Sequence, residues 1–171
     1  VQQAPKAHRA ILVGHALSPA TADKKPDGCE VRTLWGEMAW QLLGKEGYAM
    51  VAEDDRRGVS PGSEVLRQLF VAASPSLILI DEWVVFVRQL YRDASLPAGS
   101  FEANLSFAQN LTEAAKAAPR TLVVATIPAS DTETGGEGGQ EAVIRLKQIF
   151  GRVESPWRPA DPEEGFEIVR Q

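Results

Sequence analysis

The stretch Leu77-Ile78-Leu79-Ile80-Asp81-Glu82 places four aliphatic residues directly before two carboxylates. Apolar and polar residues do not alternate in this run, and a strand of that kind is buried on both faces. We therefore predict a central parallel strand that lies between layers of helices. Because open α/β sheets bind ligands beyond the carboxyl ends of their strands, Asp81 and Glu82 stand where a ligand would bind.

Two interpretations of this carboxylate pair remain open on the sequence alone. An aspartate at a strand end can hold Mg²⁺ through its water shell, and a glutamate beside it can orient a water molecule towards a phosphate, as in the Walker B strand of P-loop ATPases. Alternatively, Asp81 and Glu82 cap the helix that follows them. The first interpretation predicts a catalytic site, whereas the second predicts only a helix start.

Length and composition fit one globular domain over residues 1–171. The apolar fraction of 44% and the charged fraction of 24% are ordinary, and the net charge of −5 argues against a nucleic-acid partner. The single cysteine, Cys29, excludes an internal disulfide and is typical of a reducing cytoplasm. No apolar run approaches the ~20 residues of a membrane helix, and no signal peptide is recognisable. We therefore expect a cytoplasmic protein without a membrane partner.

The remaining apolar patterns predict strands that alternate with helices. Residues 10–14 and 121–127 predict two further buried strands. Apolar residues at helical spacing over 31–43 predict a helix that ends at Gly44. The charge cluster 54–57 is then predicted to precede the start of another helix. This order predicts an α/β fold with three layers, αβα, around a mostly parallel sheet. Further helices are predicted near 65–73, 84–91, 105–118 and 142–150, and an acidic, glycine-rich loop near 130–139.

Two more polar residues are placed where a phosphate could be contacted. Thr126 ends the strand that we expect beside the Asp81 strand, and its hydroxyl could bind a terminal phosphate or the attacking water; alternatively it is an ordinary β-branched strand residue. Arg152 follows an amphipathic helix, where ring-forming ATPases project an arginine finger into a neighbouring subunit. Alternatively Arg152 is a solvated residue favoured by the helix dipole. Arg145 and Arg158 are weaker candidates for the same role.

The sequence contains no phosphate-binding loop of the form G-x-x-x-x-G-K-S/T. Without that loop, Asp81 alone would bind a magnesium nucleotide weakly. The glycines of residues 135–139 do not replace it, because they come without its lysine and hydroxyl and stand among glutamates. Since the chain also begins at Val1 rather than at a methionine, we expect it to be a piece of a longer protein.

Three stretches carry a resemblance to a known family: residues 30–37 (EVRTLWGE), 79–84 (LIDEWV) and 151–159 (GRVESPWRP). They resemble the DUF499 family of large bacterial ATPases, some of which are associated with bacteriophage defence. The resemblance implies an AAA-type P-loop NTPase core that lacks its first strand and its phosphate-binding loop. It further implies ATP as substrate and Mg²⁺ as cofactor in the complete protein, and little activity in this piece alone.

The same resemblance assigns roles to individual residues. It makes Asp81 the carboxylate on the Mg²⁺ side and Glu82 the base that orients water. Thr126 or Ser130 becomes the phosphate sensor, and Arg152 the finger that acts on a second copy in a homo-oligomer. It also makes residues 161–171 the start of a following helical region. The missing first strand would lie between the strand of residues 121–127 and a short segment near Val153, so we expect an unpaired sheet edge there.

Two other functions remain compatible with the sequence. One is a non-catalytic α/β interaction module, in which Asp81 and Glu82 serve only the fold. The other is a Mg²⁺-dependent phosphoesterase or nuclease that uses the same carboxylates. Sites of the second kind usually gather three or more acidic ligands, and the sequence places only these two together.

Overall fold

The computed structural model describes residues 6–128 and 134–151. Within these ranges the chain forms five strands, five α-helices and one short 3-10 helix. Several predictions therefore lie outside the described residues: the roles of Ser130, Arg152 and Arg158, the segment near Val153 and the helical start at 161–171. The strands are β1 (His8–Val13), β2 (Asp23–Lys24), β3 (Glu30–Val31), β4 (Ser76–Asp81) and β5 (Thr121–Ala125). The helices are α1 (Leu34–Arg57), α2 (Ser63–Ala72), α3 (Trp83–Val87), the 3-10 helix Arg88–Leu90, α4 (Phe101–Ala117) and α5 (Glu137–Phe150).

The main sheet is parallel and has the order β1-β4-β5. The strand that contains Leu77 to Asp81 is therefore central, as the sequence predicted. Ile11 pairs with Leu79, which in turn pairs with Val124, and Val13 pairs with Asp81. This register brings the carboxyl ends of the three strands to one edge of the sheet. The two-residue strands β2 and β3 form a separate antiparallel pair, which the sequence analysis did not predict.

The helices cover one face of this sheet, so the described residues form two layers. Buried residues of all five helices belong to one cluster with Ala10, Leu12, Ile78 and Ile80 from the strands. On the opposite face Ile11, Leu122 and Val124 keep 52%, 59% and 44% of their surface exposed. The prediction of three layers, with strands buried on both faces, is therefore wrong for the described part of the chain. The apolar runs are real, but the second face has no cover there.

Helix α1 is longer than its sequence pattern indicated. It begins at the N-cap Thr33 and continues to Arg57, and only Leu43 and Gly44 depart from helical geometry. The break that the sequence predicted at Gly44 is therefore present as a kink, after which the chain is helical again. The charge cluster 54–57 forms the last turn of this helix, and Gly58 closes it with a left-handed backbone (φ 62°).

The two edges of the main sheet differ. At β1 the side chain of Gln41 accepts a hydrogen bond from the Ile11 N–H (2.7 Å) and donates one to the Ile11 carbonyl (3.1 Å). A single amide from α1 thus satisfies both polar groups of an edge residue. At the other edge, no described strand pairs with the outer side of β5. Within the described residues β5 is therefore an edge strand, and a missing first strand beside it stays a prediction.

Candidate functional site at the strand ends

Asp81, Glu82 and Thr126 form a closed hydrogen-bonded group at the carboxyl ends of β4 and β5. The Thr126 hydroxyl donates to Asp81 Oδ1 at 2.6 Å. The Glu82 backbone N–H donates to the same Oδ1 (3.0 Å) and to Thr126 Oγ1 (3.1 Å). The Thr126 hydroxyl thus bonds both a carboxylate and a backbone N–H at the end of the neighbouring strand. All three residues are open to solvent.

The backbone of Glu82 has an uncommon conformation that turns the chain from β4 into α3. Its φ of 53° and ψ of 36° lie in the left-handed region, which costs a non-glycine residue about 1 kcal/mol. Glu82 occupies the N-cap position of α3, but its side chain caps no helix N–H. Asp81 is engaged by Thr126 and by the Glu82 N–H instead. The helix-capping interpretation of the two carboxylates is therefore wrong.

Buried aromatic rings fix the residue that follows this turn. Trp83 is fully buried, and its ring lies 6.0 Å from that of Phe107 and 5.9 Å from that of Phe150, measured between centroids. Burying an aromatic ring of this size stabilises the fold by roughly 2–3 kcal/mol. The strained Glu82 is thus held between a central strand and an anchored tryptophan.

The end of β1 contributes a third side to the site. Gly14 donates its N–H to the Asp81 carbonyl at 2.8 Å, and a Cβ at Gly14 would overlap the carbonyl oxygen of Glu82. Only glycine allows this approach of the two chain segments. The next residue, His15, contacts a carboxylate oxygen of Glu82 through its Nδ1 atom. The sequence analysis missed this contact, although a polar residue just beyond a neighbouring strand was a usable signal.

Arg145, an arginine candidate that the structure describes, lies away from Asp81, Glu82 and Thr126. Arg145 on α5 pairs with Glu102 of α4 (3.1 Å) and with Glu141 (3.5 Å). These partners hold it on the surface between α4 and α5. The structure thus brings together Asp81, Glu82 and Thr126, whereas Arg145 serves helix packing.

The donor set at Asp81 suits a magnesium ion that is shared with phosphates. Magnesium in nucleotide sites is held by one or two carboxylates together with phosphate oxygens and water, and Asp81 offers one exposed carboxylate. Among residues 6–128 and 134–151 no group of three or more histidines, cysteines or acids is placed to hold a metal. The third carboxylate that a phosphoesterase site usually requires is thus not found in that part of the chain.

A small parallel sheet with polar groups at its strand ends defines a mixed α/β protein with a candidate ligand site at the carboxyl edge of the sheet. A family model described as the DUF499 N-terminal domain matches residues 6–155, and the chain belongs to this family. The match includes two of the stretches that carry the resemblance, residues 30–37 and 79–84. No curated protein and no solved structure matches the chain. None of the described helices is both long and apolar enough to span a membrane.

Proposed function

We propose that this domain supplies the metal-side carboxylate and the base of a Mg²⁺-dependent ATPase of the P-loop type. The observation that carries the proposal is the hydrogen-bonded group of Asp81, Glu82 and Thr126 at the ends of adjacent parallel strands. Such groups meet where α/β proteins bind nucleotides. Membership of the DUF499 family is consistent with this proposal but does not by itself assign an activity.

Each residue of the group has a defined part in the proposed reaction. A bound Mg²⁺ would neutralise charge on the phosphates. Asp81 accepts two hydrogen bonds at Oδ1, which fix the orientation of its carboxylate at the strand ends. Glu82 orients the attacking water and accepts its proton. Thr126 holds Asp81 in place and offers its oxygen to the terminal phosphate or to the water.

The phosphate-binding loop of this proposed site comes from polypeptide outside these 171 residues, because they contain no such motif. We place its strand at the outer side of β5, next to Thr126. Ser130 remains a proposed second phosphate contact, and Arg152 a proposed finger towards a second copy. Accordingly, we expect this chain alone to bind ATP weakly; micromolar affinity in calorimetric titration would instead indicate a separate phosphate site.

Replacement of Glu82 by glutamine in the complete gene product tests the proposal. Loss of a general base lowers kcat by roughly 10²- to 10⁴-fold, and binding of Mg-ATP should persist. Glu46→Gln, at an exposed position of α1, is the matched control and should leave turnover unchanged. If Glu82→Gln turns over ATP at the wild-type rate, the role assigned to Glu82 is wrong. If the wild-type protein hydrolyses no ATP, the proposed function itself fails.

A further inference from the structure

Trp83 connects the proposed base to two phenylalanine rings in the helical layer. It directly follows Glu82 in the chain and is fully buried. Its ring packs edge-on against Phe107 of α4 and Phe150 of α5, with centroids 6.0 and 5.9 Å away. A buried indole N–H usually has a hydrogen-bond partner, but among the described residues that of Trp83 has none. The orientation of this ring is therefore set by packing alone.

The two phenylalanines differ in how firmly they are held. Phe107 is fully buried within α4, and its ring also packs against Trp35 at 5.5 Å. Phe150 is the last residue of α5 and is only partly buried. Because the end of a helix is less constrained than its centre, Phe150 is the brace of Trp83 that can change without disturbing the core.

The backbone of Glu82 depends on such a brace. A glutamate persists in the left-handed region only where its surroundings hold it there, and Glu82 has a φ of 53°. In this conformation its N–H reaches Asp81 Oδ1 at 3.0 Å and Thr126 Oγ1 at 3.1 Å. A shift of the Trp83 ring would therefore disturb these two bonds and the direction of the Glu82 side chain together.

We propose that Phe150 is a positioning residue, whose ring braces Trp83 and thereby keeps Glu82 in the conformation in which it serves as base. This inference rests on the proposed function and makes the end of α5 a determinant of turnover at the same site. A displacement of about 1 Å in a reacting group can slow a reaction roughly 100-fold. Asp81 keeps its bond from Thr126, so loss of the Phe150 ring should lower kcat and leave KM for ATP unchanged.

A second aromatic pair supplies a matched control. The ring of Phe101 packs edge-on against Tyr91 at 5.2 Å, with an interplanar angle of 73°, compared with 74° for Trp83 and Phe150. Phe101 is 7% exposed, so Phe101→Ala removes a buried ring beside Tyr91 and not beside Trp83. Phe150→Tyr keeps the bracing ring and serves as the conservative variant.

The first test uses the 171-residue chain and does not depend on ATP hydrolysis. In heteronuclear magnetic resonance spectra, Phe150→Ala should shift the backbone amide signal of Glu82, which reports the bonds to Asp81 and Thr126. Phe150→Tyr should return this signal towards its wild-type position, and Phe101→Ala should leave it in place. If the alanine variant is poorly folded, Phe150→Leu gives the same comparison with more apolar volume retained. A Glu82 signal that does not move, or that moves equally in Phe101→Ala, overturns the inference.

The second test measures turnover in the complete gene product. Phe150→Ala should lower kcat about ten- to a hundred-fold with KM for ATP unchanged, whereas Phe150→Tyr and Phe101→Ala should stay near the wild-type kcat. A wild-type kcat in Phe150→Ala, or an equal loss in Phe101→Ala, overturns the inference. If the wild-type protein hydrolyses no ATP, the proposed function fails, while the spectra still decide whether Phe150 positions Glu82.

Discussion

At the scale of single residues, the buried carboxylate of Asp55 shows how a charge can serve the fold alone. Asp55 is completely buried in the last turn of α1. It accepts hydrogen bonds from the backbone and the hydroxyl of Thr33, at 2.9 and 2.6 Å, and from the Tyr48 hydroxyl at 3.0 Å. Hydrogen bonds of this kind replace the water that a buried carboxylate loses. Asp55 thereby ties the end of α1 to its N-cap, so it is a structural residue.

The partner of Asp55 gives a prediction that depends on pH. Burial, and then the charge and hydrogen bond of Asp55, raise the pKa of Tyr48 from 10.0 to about 12. At pH 7 we expect Tyr48→Phe to lower the free energy of unfolding by about 1–2 kcal/mol, since it removes a hydroxyl that binds Asp55. Between pH 10 and 12 the unfolded wild-type chain loses this proton while the folded chain keeps it, so the wild-type protein loses stability across that window.

The difference between wild type and Tyr48→Phe should therefore be full below pH 10 and shrink as the pH approaches 12. Urea unfolding of both proteins at pH 7, 9 and 11 measures this difference. The phenylalanine variant lacks the titrating group and so corrects for all other groups that ionise in alkali. A difference that stays constant from pH 7 to 11 would contradict the assigned environment of Tyr48.

At the scale of elements, α1 shows which features a sequence pattern can predict. The spacing of Leu34, Met38 and Leu42 correctly predicted a helix that packs on the sheet, and all three are buried. The pattern also predicted an end at Gly44, where the helical geometry is interrupted by a kink and then resumes through Gly47. Gly47 packs so closely against the Ala39 carbonyl that a Cβ would overlap it. A glycine that permits close packing and a glycine that ends a helix look the same in a sequence.

The bend itself can be tested through Gly44. Its φ of 60° and ψ of −142° suit glycine alone, although no atom lies within 4 Å of where a Cβ would stand. We expect Gly44→Ala to lower the free energy of unfolding by about 1–3 kcal/mol through backbone strain. The neighbouring Lys45→Ala, at an exposed position, should change it by less than about 0.5 kcal/mol. Thermal and urea unfolding compare the two variants, and equal stabilities would rule out strain at Gly44.

The strands show the limit of the pattern more clearly. The apolar run Leu77 to Ile80 correctly predicted a central parallel strand, and polar residues at the strand ends predicted the meeting of Asp81, Glu82 and Thr126. Whether each face of the sheet is covered by helices could not be predicted in the same way. An uninterrupted apolar run places apolar side chains on both faces of a strand, but it does not show whether each face is covered.

At the scale of the whole molecule, the described residues leave one strand edge unpaired and one apolar face of the sheet exposed. Ile11, Leu79 and Val124 lie side by side across β1, β4 and β5, and Leu122 adds a further side chain on β5. Apolar surface next to an unpaired strand edge favours pairing with another chain. The β1 edge is different, because Gln41 already satisfies the polar groups of Ile11.

We accordingly predict that the 171-residue chain self-associates as its concentration rises and that a charge on β5 prevents this. Leu122→Lys places an ammonium group on a side chain that is 59% exposed, so it should repel a second copy at little cost to the fold. Val71→Lys, at a position of α2 that is 46% exposed, introduces the same charge away from the sheet and should leave association unchanged. Sedimentation velocity over a concentration series measures the outcome. Equal association of the two variants would place the contact elsewhere, because Leu122 lies on the open strand and Val71 does not.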